Sequence, residues 1–320
     1  MNEKNSKLSF DAWVDRSTNI NPFEKTSTFV HPAMVIVRIF VACLKIPLFI
    51  FIFSLSFLYY VLAMIIPVNE IRTVLIKVNS KIFDRILLFL LGNVFISVEP
   101  TSIVDTFNEL GEVDSVNPGD IIISNFGSYL NLIWFQMQYS PFFVVPYDSK
   151  SVIVYSFFTI LVNSLSNHPM KKGKRASLEK ILKIAKENRS PVVVFPECTP
   201  TNGSGILQFT EFGENIDFSK TKFHIFCFSH RNSGPSPNFT FGNGLLHLFK
   251  MLGRTMSGMK VKIALPQDVP HFKCCITSDW LQNVRMVMSK ILRVPLLSVD
   301  YEAARQYYDS INSESKIHKD

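Results

Sequence analysis

Residues 177–203 read SLEKILKIAKENRSPVVVFPECTPTNG, and their reading decides the fold. Leu178, Ile181, Leu182 and Ala185 recur on one face at helical spacing. Lys180, Lys183, Lys186 and Glu187 lie elsewhere, so Ser177–Asn188 is expected to be an amphipathic helix. Pro191 ends it, having no N–H to continue the ladder. Val192, Val193, Val194 and Phe195 then run without a polar residue, the pattern of a strand buried on both faces. Pro196, Glu197, the hydroxyls of Thr199 and Thr201, and the turn pair Asn202-Gly203 follow. Such a strand exit holds one carboxylate and several donors over a sheet edge. In an open α/β sheet that edge is where ligands sit.

The same alternation extends outward. Asp120–Ser124 is a short apolar strand after the turn Asn117-Pro118-Gly119, and a helix follows over about Ser128–Gln138. Phe223–Phe228 and Lys260–Leu265 are further strands. Asn243–Met256 and Asp279–Leu292 are helices, the latter stopped by Pro295, and a polar helix runs over about Asp300–Ile311. Strands alternating with helices predict an α/β domain with a mostly parallel sheet and flanking helices. The apolar runs Ile86–Val98 and Val152–Val162 are too short to cross a bilayer and fit core or interfacial helices.

Between Ile46 and Asn69 there is no charged residue. The 21 residues Ile46–Ile66 would reach about 31 Å as a helix, one hydrocarbon thickness. The run starts too late and is too long for a cleaved signal peptide. It is expected to be a membrane-inserted helical segment ahead of the sheet domain. Arg38 and Lys45 precede it, and Arg72, Lys77, Lys81 and Arg85 follow, a slight excess that places the bulk of the chain in the cytosol. Pro47 and the apolar stretch from Met34 leave both crossing and re-entry open. The expected organisation is a polar N-terminal segment (1–33), a membrane-associated helical region (34–98), an α/β domain (99–297), and a polar C-terminal helix and tail (298–320).

Composition narrows the function classes. Of 320 residues, 47% are hydrophobic and 18% charged, and 29 are Phe. That bias excludes disordered, collagen-like and coiled-coil chains. With a single segment long enough to span, it also excludes a many-helix transporter. The net charge of +7 suits an anionic membrane face or a phosphorylated ligand. The aromatics lie within apolar runs rather than between Lys and Arg, so no nucleic-acid partner is expected. Five cysteines, an odd number without a CxxC pair, suit a reducing compartment. Cys227 and His230 with Cys274 or Cys275 match no standard zinc spacing, and no metal is expected.

The block Phe195–Gly203 resembles the FPEGT-x-x-NG block of the glycerolipid acyltransferase superfamily, with Cys198 where that block has Gly. The resemblance implies acyl transfer from acyl-CoA, a co-substrate needing no further cofactor, to a lysophospholipid, lysophosphatidate first among them. It implies that Glu197, Thr199, Asn202 and Gly203 hold the glycerol-phosphate end of the acceptor. The family places an N-H-x-S-x-x-D block after an upstream strand. Here the matching stretch is Asn125-Phe126-Gly127-Ser128-Tyr129-Leu130-Asn131. Asn125 and Ser128 match, but Phe126 and Asn131 replace the His base and the Asp that orients it. No HxxxxD occurs anywhere in the chain. His168, His224 and His230 are candidate bases by residue type alone. Lys171-Lys172-Gly173-Lys174-Arg175 stands where the resemblance expects a phosphate-gripping element and could hold a lipid phosphate electrostatically, but it reads first as a solvated basic loop.

The N-terminal Trp13-Val14-Asp15-Arg16-Ser17-Thr18-Asn19-Ile20-Asn21-Pro22-Phe23 is similar to a W-R-D-x-G-x-G-I-x-P-F stretch. With the T-x-N-G ending of the later block, it resembles the fungal lysophosphatidate:oleoyl-CoA acyltransferase-like subgroup, linked to vacuolar protein sorting and lipid droplets. That resemblance implies a cytosol-facing domain on the endoplasmic reticulum or lipid droplets. Two readings follow. One is a membrane-bound acyltransferase of phospholipid or triacylglycerol synthesis. The other is a catalytically inactive relative that binds lysophospholipid or acyl-CoA in lipid or protein trafficking. If the ancestral loop geometry survives, Phe126→His with Asn131→Asp should raise activity. The basic helix around His247, Lys250 and Arg254 is expected either on the bilayer or in the core with snorkelling ends.

Overall fold

Two antiparallel helices lead the computed structural model: α1 (Pro32–Ile65) and α2 (Asn69–Leu90), joined by three residues. The structure describes residues 13–26, 32–103, 112–166, 170, 171, 173–230, 234–271 and 275–317. Asn79 of α2 donates to the Ser56 carbonyl of α1, and Lys45 of α1 donates to the Leu90 carbonyl of α2, which fixes the antiparallel sense. α1 starts well ahead of the charge-free run, so Arg38 and Lys45 lie inside it rather than before it. It is the one helix among the described residues long and apolar enough to cross a membrane.

The domain that follows is an eight-stranded sheet. Its strands are β1 (Asn93–Thr101), β2 (Ile121–Ser124), β3 (Phe142–Pro146), β4 (Val152–Tyr155), β5 (Arg175–Ala176), β6 (Val192–Val194), β7 (Phe223–His230) and β8 (Ser257–Ala264), in the spatial order 1-8-7-2-6-3-4-5. Pairings 1–8, 2–6, 2–7 and 3–6 are parallel, and 3–4, 4–5 and 7–8 are antiparallel. The sheet is therefore mostly, not wholly, parallel. Its helices are α3 (Tyr129–Tyr139), α4 (Phe157–Ser164), α5 (Leu178–Glu187), α6 (Gly244–Leu252), α7 (Ser278–Leu292) and α8 (Tyr301–Ile317). The two faces of the sheet carry separate cores. One gathers Phe126, Trp134, Phe135, Phe195 and Phe226; the other gathers Ile123, Val194, Ile225, Trp280 and Met288.

Both short apolar runs correct the expectation of a single helix. Ile86–Val98 divides at Gly92, whose left-handed φ of +85° ends α2 and releases the chain into β1. Val152–Val162 divides at Ser156, which caps α4 by accepting from Thr159 N, so the run is half strand and half helix. The helix expected over Asn243–Met256 stops at Leu252, because the chain must be extended again by Ser257 to pair with β1. Arg254 does not lie on a bilayer-facing surface: it is buried and reaches Ser257.

Candidate active site

Three neighbouring strands, β7, β2 and β6, are parallel and end at one edge of the sheet. The loops leaving them are laced together by side chains. Asn125, just past β2, pairs doubly with the backbone of Phe228 in β7, donating to its carbonyl at 3.1 Å and accepting from its N–H at 2.8 Å. Glu197, three residues past β6, accepts from Phe126 N at 2.9 Å and from Leu207 N at 3.1 Å. Thr201 N donates to Phe126 O at 3.0 Å. Glu197 thus touches the loop at residues 125–131, with both carboxylate oxygens engaged by backbone. Burial pushes its carboxyl up to about 7, while the two N–H groups and the guanidinium of Arg285 pull it down. Arg285, on α7, braces the same loop by donating to the carbonyls of Leu207 and Ile206.

Phe126 does not face the site. Its ring is fully buried and stacks on Phe195 at 4.6 Å between centroids. A His placed at 126 would enter that apolar slot, which removes the geometric basis for gaining activity from Phe126→His with Asn131→Asp. Ser128 caps α3 by accepting from Leu130 N, and donates to Pro237 O. Asn131 is fully buried on the first turn of α3, and its Oδ1 lies 2.9 Å from Nε2 of His230. Asn131, which matches the Asp of the resembled block, thus contacts an imidazole, one delivered by β7, 99 residues later.

His230 has a second nitrogen, Nδ1, without a hydrogen-bond partner among the described residues. Burial and the nearby Arg254 hold its pKa down to about 3, so the ring is neutral at physiological pH. A cavity of about 160 Å³ opens at this edge, lined by Asn125, Gly127, Glu197, Gly203, His230 and Asn238 among others. Gly203 has φ +78°, and a Cβ there would come within 2.9 Å of Asn238 Nδ2, so both conformation and space require glycine. Asn202 lines the cavity too, yet its side-chain amide donates to Asn21 O and Glu24 O, and its N–H to Pro22 O. It ties the N-terminal segment to the site. Thr199 faces Tyr308 of α8 rather than the cavity.

The remaining candidates lie elsewhere. His224 pairs with Asp120 at the opposite end of the sheet. His168, Lys172 and Cys274 fall outside the described residues. Lys171 donates to Tyr147 O and lies over the Tyr301 ring, while Arg175 stacks on Tyr147, so this basic stretch is bound into the fold. Cys227 is buried in the core opposite Phe126, and Cys275 is exposed. Among the described residues no three His, Cys, Asp or Glu side chains gather as a metal site would require. Sequence spacing missed the pairing of His230 with Asn131, since only the adjacency of β2 and β7 brings the two together. It missed Arg285 because a lone Arg on an amphipathic helix carries no signal.

Comparison with known proteins gives one relative over nearly the whole chain. The chain is similar to a protein named as a putative acyltransferase. It is 28% identical over 311 residues, 94% of its length and 97% of the relative's, to the Schizosaccharomyces pombe protein named "Putative lysophosphatidic acid:oleoyl-CoA acyltransferase". That similarity supports an acyltransferase family. No protein-family model matches the chain. No solved structure matches it.

Proposed function

We propose that this protein transfers an acyl chain from acyl-CoA to the hydroxyl of a lysophospholipid, lysophosphatidate being the first acceptor to test. The observation that carries the reading is the hydrogen bond between His230 and Asn131 beside the Glu197 cavity. With Nε2–H donating to Asn131 Oδ1, Nδ1 keeps its lone pair. That nitrogen takes the proton of the acceptor hydroxyl as its oxygen attacks the thioester carbonyl. The tetrahedral adduct then expels the CoA thiolate, which takes up the proton from the imidazolium. Glu197 does not act as base; it fixes the loop carrying Asn125 and Gly127. The apolar outer face of α1 supports placement at a membrane, where the acceptor resides. A cytosol-facing position on the endoplasmic reticulum or lipid droplets fits a cytosolic acyl-CoA supply.

One observation favours the second reading, a lipid-binding relative without turnover. Phe126 is locked in the core, and a His held down to about 3 is a weak base. Full-length protein in detergent, given labelled acyl-CoA and lysophosphatidate, separates the two. Product should form, and His230→Ala should lower kcat by about 100- to 10,000-fold. Product formed equally by His230→Ala would remove His230 from the mechanism. No product from the native chain would leave the binding relative.

A further inference from the structure

A second and larger cavity, about 570 Å³, adjoins the first and shares Thr26, Ser236 and Asn238 with it. It lies between the start of α1 and α6, and its size is that of a small-molecule site. Three cationic side chains line it: Lys25, Arg38 and Lys250. None forms an ion pair with a carboxylate among the described residues. Lys25 rests over the Phe241 ring, 4.3 Å from its centroid, and the Arg38 guanidinium lies against Gly234. Lys25 and Lys250 are exposed and Arg38 is half-buried, so the three give the mouth of the cavity a positive rim that attracts an anion.

The interior supplies a second, independent sign of a ligand. Thr240, Asn238 and His247 are among the residues around the cavity, and Thr240 Oγ1, Asn238 Oδ1 and His247 Nε2 have no hydrogen-bond partner among the described residues. Thr240 is 3% exposed, so water does not reach its hydroxyl freely. His247 donates its other N–H to Pro237 O and is held down to about 4 by burial, so Nε2 is an acceptor. Buried polar groups left unpaired carry a penalty that a ligand would relieve. Val35, Ile39, Phe239, Leu246 and Phe249 make the rest of the wall apolar. Val35 and Ile39 belong to the exposed apolar face of α1, so the mouth opens where a lipid would arrive.

We infer that this cavity binds the phosphate of an acyl-chain-bearing phosphate ester, with Lys25, Arg38 and Lys250 holding the anion and Thr240, Asn238 and His247 its hydroxyl or ester groups. The assignment rests on the acyltransferase reading for the identity of the ester. The shared wall then sets the phosphate on one side of Asn238 and His230 on the other. Either substrate could supply that phosphate, the lysophospholipid or the acyl-CoA.

The test is binding, read separately from turnover, on full-length protein in detergent. The ligands are a short-chain lysophosphatidate below its micelle concentration, the matching monoacylglycerol, and an acyl-CoA. The native protein should prefer lysophosphatidate over monoacylglycerol by about tenfold or more, and Lys25→Gln/Arg38→Gln/Lys250→Gln should erase that preference. If free CoA displaces lysophosphatidate, the two phosphates share the cavity; if only acyl-CoA loses affinity in the variant, the phosphate bound there is that of CoA. Should the triple variant fail to fold, Lys250→Gln alone, at an exposed position, should reduce the preference. A folded variant with the full preference for phosphate esters overturns the inference. His230→Ala should keep the preference while losing transfer. Phosphate-selective binding without transfer by the native chain counts against the enzyme only, and transfer without selectivity counts against this cavity only.

Discussion

Glu197 shows how one residue type in one place was readable while its partners were not. A carboxylate after a buried strand and before Asn-Gly was legible as a sheet-edge group. That both its oxygens would be taken by Phe126 N and Leu207 N was not, because those partners are set by loop packing. Cys198, where the family block has Gly, adopts the left-handed conformation, φ +58°. A side chain strains that conformation, and the thiol fills the turn by meeting Pro146 O and Thr210 Oγ1. Glu197 also makes a pH prediction. Its folded pKa, about 7, lies above the ordinary 4.5, so the folded state binds the proton more tightly than the unfolded state. Its contribution to stability is complete below about pH 4.5 and is lost as pH rises through 7. Glu197→Gln cannot titrate. The stability of the native protein relative to that variant should fall by about 3 kcal/mol between pH 4.5 and pH 8. Unfolding midpoints measured across that range give the difference, and a gap that stays constant would contradict the burial argument.

At the scale of elements, the sequence spoke clearly where one period ran unbroken. The helices α5 and α7 and the strands β2, β6 and β7 lie where apolar spacing put them, to within two residues at each end. It failed where an apolar run held two elements. Ile86–Val98 and Val152–Val162 have no polar face to give a period, and only Gly92 and Ser156 mark the joints. β3 was not foreseen, because Phe142–Pro146 carries neither alternation nor a preceding helix break beyond Ser140. The seating of α1 on the domain was equally invisible, since it rests on contacts between residues far apart in the chain, a glycine among them. Gly253, just past α6, lies so near α1 that a Cβ would sit 2.7 Å from Arg38 O. Ala42, one turn further along α1, is fully buried, and Lys45 donates to the carbonyls of Leu90 and Arg254. Gly253→Ala must push backbone against backbone, and should destabilise the protein by about 1–3 kcal/mol, as overpacking does. A melting temperature equal to that of the native protein would show that α1 can lift away freely.

For the whole molecule, the two features that suggested the same subgroup prove to be one structural device. Trp13, Asp15, Pro22 and Phe23 all serve to fold the N-terminal segment onto the domain. Asp15 accepts from Ser298 N at 2.7 Å, Trp13 and Phe23 pack on Tyr307 of α8, and Asn202 of the later block holds Asn21, Pro22 and Glu24. The chain therefore touches the sheet domain both before α1 and after α2. Along its length α1 stays in contact as well, from Arg38 at Gly253 to Phe57 and Tyr60 at the Phe158 ring. A helix with both its preceding segment and its partner helix anchored to one domain cannot leave the two on opposite sides of a bilayer. Yet its outer face, from Met34 to Ile65, exposes large apolar side chains that water does not tolerate in such a patch. We predict from these constraints that the α1–α2 pair dips into one leaflet rather than crossing, with Lys25 and the His230 cavity on the same side. Membranes carrying the protein with a tag ahead of Met1 should hold it through a high-salt wash. Both the tag and residue 320 should be open to protease added from the cytosolic side, and an acceptor sequon in the tag should stay unglycosylated. A glycosylated, protected tag would show that α1 crosses, and would require the contacts of Asn202 and Asp15 with the N-terminal segment to be broken in the membrane-bound protein.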